Sequence, residues 1–127
     1  MHRPKNCISV EEAKDLEYRW QETRGELLEK GLGYVDTHQT IFTIKELRNY
    51  LDYVERESVL QEIEAPKIAI FLGAYKKTEE RPSLTTVFLA PTKSVASGLN
   101  LSDEINYDID PLNNGVEPWP PGKYANE

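Results

Sequence analysis

Ile68-Ala69-Ile70-Phe71-Leu72-Gly73-Ala74-Tyr75 is the stretch whose reading decides the fold. It is apolar on both alternating faces, the pattern of a strand covered on both sides, and its branched and aromatic side chains suit a pleated backbone. It is too short to cross a bilayer as a helix, which takes ~20 apolar residues. Thr85-Thr86-Val87-Phe88-Leu89 is a second β-rich run, and the connection from Lys76 to Ser83 is almost wholly polar and includes Pro82. That order predicts an antiparallel hairpin with a solvated connection longer than a tight turn. Two strands do not make a stable sheet. A third is therefore expected from Thr40-Ile41-Phe42, from the C-terminal segment or from a dimer partner.

Upstream, two helices announce themselves by their first turns. Ser9-Val10-Glu11-Glu12 has the spacing of a capping box, in which the serine hydroxyl accepts the amide of Glu12 and the Glu12 carboxylate accepts the amide of Ser9. Ala13, Leu16, Trp20, Thr23 and Leu27 then recur three and four apart, so a helix is expected over about residues 10–30, with Trp20 on its buried stripe and Gly31 as its stop. Thr43-Ile44-Lys45-Glu46 repeats the signal, with Phe42 placed to staple onto Leu47. Ile44, Leu47, Leu51, Val54 and Ser58 make one stripe, predicting a helix over about 44–63 that Pro66 ends. Residues 33–42 read as a loop, with or without a short strand at its end.

Downstream, regularity fades from Pro91 onward, and Pro111, Pro118, Pro120, Pro121 and Asn113-Asn114-Gly115 punctuate the rest. The expected fold is α+β: two N-terminal helices packed on a small antiparallel sheet within residues 1–92, then an irregular, acidic Pro/Asn/Asp-rich segment, 93–127, packed on that core. The chain carries a net charge of -7, and residues 93–127 hold -4 of it. Such a balance repels phosphate backbones and anionic headgroups, which argues against nucleic acid or membrane insertion. The polar opening, Met1-His2-Arg3-Pro4-Lys5, predicts cytoplasmic residence. A single cysteine, Cys7, forms no internal disulfide.

Familiar chemistries find little support. There is no Gly-rich phosphate loop, and His2 and His38 stand at no metal-ligand spacing, so neither cofactor nor metal is expected. Asp108-Ile109-Asp110 with Asn113-Asn114-Gly115 has alternating oxygen ligands as a calcium loop does, but Leu112 and Trp119 occupy ligand positions, and an Asx-rich turn is the simpler reading. No catalytic constellation is expected. Candidate binding residues are Arg24 beside the helix-interior Gly25, His38, Tyr75 and Trp119, with Asp36 joining them if they converge. Trp119 either folds back over the sheet or serves as an exposed anchor in a Pro-rich segment.

With its capped first helix, Thr23-Arg24, Leu47-x-x-Tyr50, Phe71-Leu72-Gly73-Ala74-Tyr75 and Thr86-Val87-Phe88-Leu89-Ala90-Pro91-Thr92, the chain resembles a family of short uncharacterised Bacteroidetes-type bacterial proteins over about residues 8–92. That resemblance implies the helix, helix and two-strand order and no activity. Members often close with a cysteine- and proline-rich run, whereas this chain has Pro118-Trp119-Pro120-Pro121 and no cysteine there.

Absent chemistry, short sheet and acidic segment together favour a non-enzymatic interaction module that binds a protein partner or itself as a homo-oligomer. The alternative is a small-molecule-binding or catalytic protein with a pocket between helices and sheet, lined by Arg24 and Tyr75. Truncation after Thr92 is expected to lower the Tm in a thermal melt; an unchanged Tm would show that the C-terminal segment contributes nothing to the fold.

Overall fold

Both capping boxes form. In the computed structural model, which describes residues 2–124, Ser9 Oγ accepts the Glu12 amide at 3.0 Å and Thr43 Oγ1 accepts the Glu46 amide at 2.9 Å, each reciprocated by the glutamate. The fold is α+β, with joined helices and a three-stranded antiparallel sheet. No helix among the described residues is long and apolar enough to cross a membrane. The chain divides into two compact units, one made of residues 1–38 with 118–127 and the other of residues 39–117. The border expected between 92 and 93 falls within a strand of the second unit.

In the first unit the helix is longer than expected and interrupted. Helix α1, Val10–Trp20, passes into a π-helical turn, Gln21–Gly25, and on into α2, Glu26–Leu32. The chain runs through Gly31 and leaves the helix at Gly33, whose φ of 84° is the left-handed conformation a glycine cap adopts without strain. Inside the turn the Glu26 amide reaches back to the Gln21 carbonyl, five residues away, while Thr23 Oγ1 donates to the Arg19 carbonyl at 2.6 Å. The wider turn brings Trp20 over Gly25, where an added Cβ would lie 3.3 Å from the indole ring. The close approach at Gly25 is thus made by Trp20 of the same helix. Trp20 is half-buried, and no residue of α1, the π turn or α2 is fully buried.

In the second unit, α3 spans Ile44–Leu60 and stops before Pro66, with Glu62 and Ala65 at positive φ in the exit. Strand β1, Ile68–Ala74, pairs antiparallel with the first half of β2, Thr85–Ser97, in a register that sets Ile70 opposite Leu89 and Phe71 opposite Phe88. The second half of β2 turns at Ser97 and Gly98 into β3, Asn100–Ile105. The third strand therefore comes from the C-terminal segment, and Ile41 makes only an isolated bridge with Val116. Pro91 is tolerated within β2 because its backbone faces the β3 side at the first rung, where its carbonyl accepts the Asn106 amide at 2.9 Å and no donor is needed from it.

After β3 the chain returns beside the first half of β2. Leu112 and Leu89 exchange both backbone hydrogen bonds at 2.9 Å, and Ile41 and Val116 do the same at 2.7 and 2.8 Å. Gly115 sits where an added Cβ would fall within 3.0 Å of the Ile41 carbonyl and the Phe42 ring, so only glycine lets the two backbones close. The core joins Tyr50 and Val54 of α3 to Leu89 of β2 and Ile109 of the returning segment. Asp108-Ile109-Asp110 is thus a plug, its central side chain 2% exposed.

Tyr50 closes this core. Its hydroxyl lies 2.9 Å from the Asp110 carbonyl and 3.2 Å from that of Leu89, and the Asp110 amide donates to the Tyr53 hydroxyl at 3.3 Å. Burial, reinforced by Tyr53 and Asp110, pushes the Tyr50 phenol from 10.0 up to about 12. An unfolded chain releases this proton near pH 10 while the folded chain holds it, so the associated stability is intact below pH 10 and is lost as pH rises toward 12. The unfolding free energy in denaturant melts across this window should fall by at most about 1.4 kcal/mol per pH unit from this residue, less where solvent screens the phenolate, and Tyr50→Phe should reduce the slope. An identical slope in the variant would remove Tyr50 as its source.

Candidate functional site

The outer edge of β1 is the most distinctive surface of the second unit. Lys67 and Tyr75, at its two ends, bond backbone to backbone with Thr92 and Leu84, at 2.8 and 3.0 Å. By strand alternation the odd-numbered residues between them also face β2, and the N–H and C=O groups of Ile68, Ile70, Leu72 and Ala74 face outward. Leu89, opposite Ile70, confirms the phase, because its own backbone bonds run to Leu112 on the far side. β1 stands at the end of the sheet order, so this row has no strand beside it among the described residues.

Its side chains are apolar yet uncovered. Ile70 and Leu72 are 69% and 78% exposed on the face that Leu89 shares, while Phe71, on the other face, stacks on Phe88 with ring centroids 5.1 Å apart. The seven residues of β1 include no charge, no proline and no bulge. β3 differs, because it carries Asp103 and Glu104, and Asp103 pairs with Lys67 at 2.9 Å. Charge on an edge strand discourages pairing with another chain. One edge of the sheet has that protection and β1 lacks it.

Tyr75, just past β1, belongs to a half-buried polar chain. Its hydroxyl donates to Asn113 Oδ1 at 3.3 Å, the Asn113 amide donates to Thr86 Oγ1 at 3.2 Å and to the Val87 carbonyl at 2.7 Å, and Thr86 donates to Glu117 Oε2 at 2.8 Å. Every proton in that direction has an acceptor, and the chain ends on a carboxylate that can only accept. Arg81 adds a contact to the Glu117 carbonyl at 3.3 Å. The arrangement fastens residues 113–117 to β2, which is structural work, and no nucleophile or general base is set beside an open site by it.

In the first unit, His38 stacks on Trp20 with ring centroids 5.1 Å apart. Its Nε2 lies 3.2 Å from Glu17 Oε2 but outside hydrogen-bond alignment, and Glu17 also accepts from Gln21 at the start of the π turn. Trp119 folds back within this unit, its indole N–H donating to the Val35 carbonyl at 2.9 Å. Trp20, His38 and Asp36 line a cleft of about 780 Å³ whose walls carry Glu11, Asp15, Glu22, Glu26 and Glu29. Such walls raise the local concentration of cations. No group of three or more His, Cys, Asp or Glu side chains among the described residues is disposed to hold a metal ion.

The candidate residues are therefore dispersed. His38 lines the cleft, and neither Arg24, Tyr75 nor Trp119 does so. Arg24 lies exposed in the π turn against the Thr23 hydroxyl, and no residue of the sheet lines the cleft. The apolar run of β1 is plain in the sequence, but its place at the edge is not, because a run of apolar residues carries no sign of which strand will stand last in the sheet. Comparison with known protein families, with curated proteins and with solved structures finds no match to the chain.

Replacing Thr86 by valine removes the donor to Glu117 and the acceptor for Asn113. Such a change should cost about 1–3 kcal/mol in a denaturant melt. Glu117→Gln keeps an acceptor oxygen for Thr86 and should cost much less. Equal losses in the two variants would show that the network does not run in the stated direction.

Proposed function

We propose that this protein is a non-enzymatic interaction module whose contact surface is the outer edge of β1. One observation carries this reading: an uncharged seven-residue edge strand with Ile70 and Leu72 largely exposed and four outward-facing backbone positions that no strand among the described residues pairs. An extended segment laid along such an edge gains main-chain hydrogen bonds at alternate residues, and the exposed side chains on one face offer apolar contact to its own alternate side chains. The chemistry asked of the partner is modest, an extended apolar stretch without charge at the paired positions.

The remaining structure suits that role. Tyr50, Ile109 and the Thr86 network hold β2 rigidly from α3 and from the returning segment, so β1 is presented on a fixed backbone. A preorganised edge loses little conformational entropy when it is extended. The dispersal of Arg24, His38, Tyr75 and Trp119 over separate contacts supports a binding role over a catalytic one.

Hydrogen exchange with a panel of short alternating Thr/Val peptides tests the reading. The outward amides of Ile70 and Leu72 should exchange faster than those of Ala69 and Phe71 in the dilute free protein, and should gain protection when a peptide binds. Leu72→Pro, which removes one outward donor, should abolish that gain. If no peptide alters exchange at Ile70 or Leu72, and neither Ile70→Lys nor Leu72→Lys changes any association of the chain, the edge is not a contact surface.

A further inference from the structure

Resting on the reading of β1 as a strand-accepting edge, we infer that its occupant is β1 of a second copy of this chain, paired antiparallel about a two-fold axis through Phe71. The hydrogen-bonding phase allows it. With Phe71 opposite its own equivalent, Ile70 meets Leu72 of the other copy and Ile68 meets Ala74, and all four are positions whose N–H and C=O groups point outward. Every outward group of the strand finds a partner, and all seven residues overlap. The next position is Pro66, which has no N–H, so the ladder ends there without a stranded donor.

Side chains and charges agree with the same arrangement. Ile70 and Leu72 of each copy, 69% and 78% exposed in the single chain, become cross-strand neighbours and form one continuous apolar strip. No like charges meet within the strand, because it has none. Apart from Lys67, the charges nearest its two ends are opposite in sign: Glu64 precedes β1, and Lys76 and Lys77 follow it, with Glu62, Glu79 and Glu80 farther out. An antiparallel pairing lays Glu64 of one copy near Lys76 and Lys77 of the other, whereas a parallel pairing would set each beside its own like. Lys67, next to the strand, is already held by Asp103 at 2.9 Å. A two-fold contact of this kind uses one patch twice and closes on itself, so it yields a dimer with a six-stranded sheet and no new free edge at the seam.

Sedimentation equilibrium of the full chain should give a concentration-dependent mass that reaches twice that of the monomer. Leu72→Lys should weaken the dimer ~10-fold or more, while Val59→Lys, at an exposed position of α3, should leave it unchanged. The register has its own readout: facing residues at a non-hydrogen-bonded antiparallel site lie close enough for a disulfide. F71C in a C7S background should therefore oxidise to a covalent dimer and V59C in the same background should not. A dimer that survives Leu72→Lys with no F71C cross-link would overturn the inference, since the copies would then meet elsewhere. A chain that stays monomeric at every concentration overturns it as well. In that case protection of Ile70 and Leu72 by the Thr/Val peptides would keep the edge as a site for another protein, and its absence would remove both readings. Circular dichroism of each variant separates loss of pairing from loss of fold.

Discussion

Much of the second unit hangs on the contact between Tyr50 and the backbone of Asp110 and Leu89. A phenol on a helix reaches one carbonyl on the central strand and another on a segment 60 residues along the chain. That couples α3, β2 and the segment after β3 through a single side chain, with Ile109 filling the space beneath it. Buried carbonyls that lose a donor are costly, so the hydroxyl does more than add contact area. Two further attachments depend on the segment being held there. The Leu112 bridge occupies the far side of β2, and the Asn113-to-Glu117 stretch supplies the polar chain through Thr86.

The position of β1 follows from these attachments. β2 is the longest strand, and its first half is flanked by Leu112 on one side and β1 on the other. Its second half is flanked by β3. Once the returning segment fills the far side, β1 has nowhere to stand except at the end of the sheet. The two outer strands are then unequal: β3 carries Asp103 and Glu104 on a mostly exposed backbone, and β1 is uncharged throughout. A strand of mixed polarity can remain wet on its open side, while a wholly apolar one leaves both side-chain area and main-chain groups unmatched.

How far the sequence discloses this structure depends on how local the determinants are. Capping boxes at Ser9 and Thr43 were legible because every participating group lies within four residues. The β1 and β2 pairing was legible from two apolar runs separated by a polar connection. β3 was not, because Asn100-Leu101-Ser102-Asp103-Glu104 is exposed along its length and so shows no alternation of apolar with polar residues. Pro91 looked like a terminator, and only the non-local fact that its backbone faces the Asn106 amide makes it harmless. The π turn was hidden for a different reason: the ring that packs on Gly25 lies five residues back, outside the three-and-four spacing of an α-helical face. Of the site residues, His38, Tyr75 and Trp119 each have partners across long stretches of chain, which composition and spacing do not encode.

One disagreement between pattern and structure carries more weight than these omissions. Ile68 to Tyr75 has the pattern of a strand covered on both faces, yet in the single chain Ile70 and Leu72 stand mostly open beside Leu89, which is buried. Sequences are generally consistent across levels, so that local pattern and final environment agree, and a local conflict is expected where function intervenes. Exchanging Ile70 and Leu72 for polar residues would have removed the conflict without touching the stack of Phe71 on Phe88, since the two sets of side chains lie on opposite faces. Retention of apolar residues on the open face therefore does not follow from the packing of the other. One more strand along this edge would pair the outward amides and set apolar cross-strand neighbours beside Ile70 and Leu72, so the open backbone row, the uncharged edge and the apolar residues flanking it would share a cause.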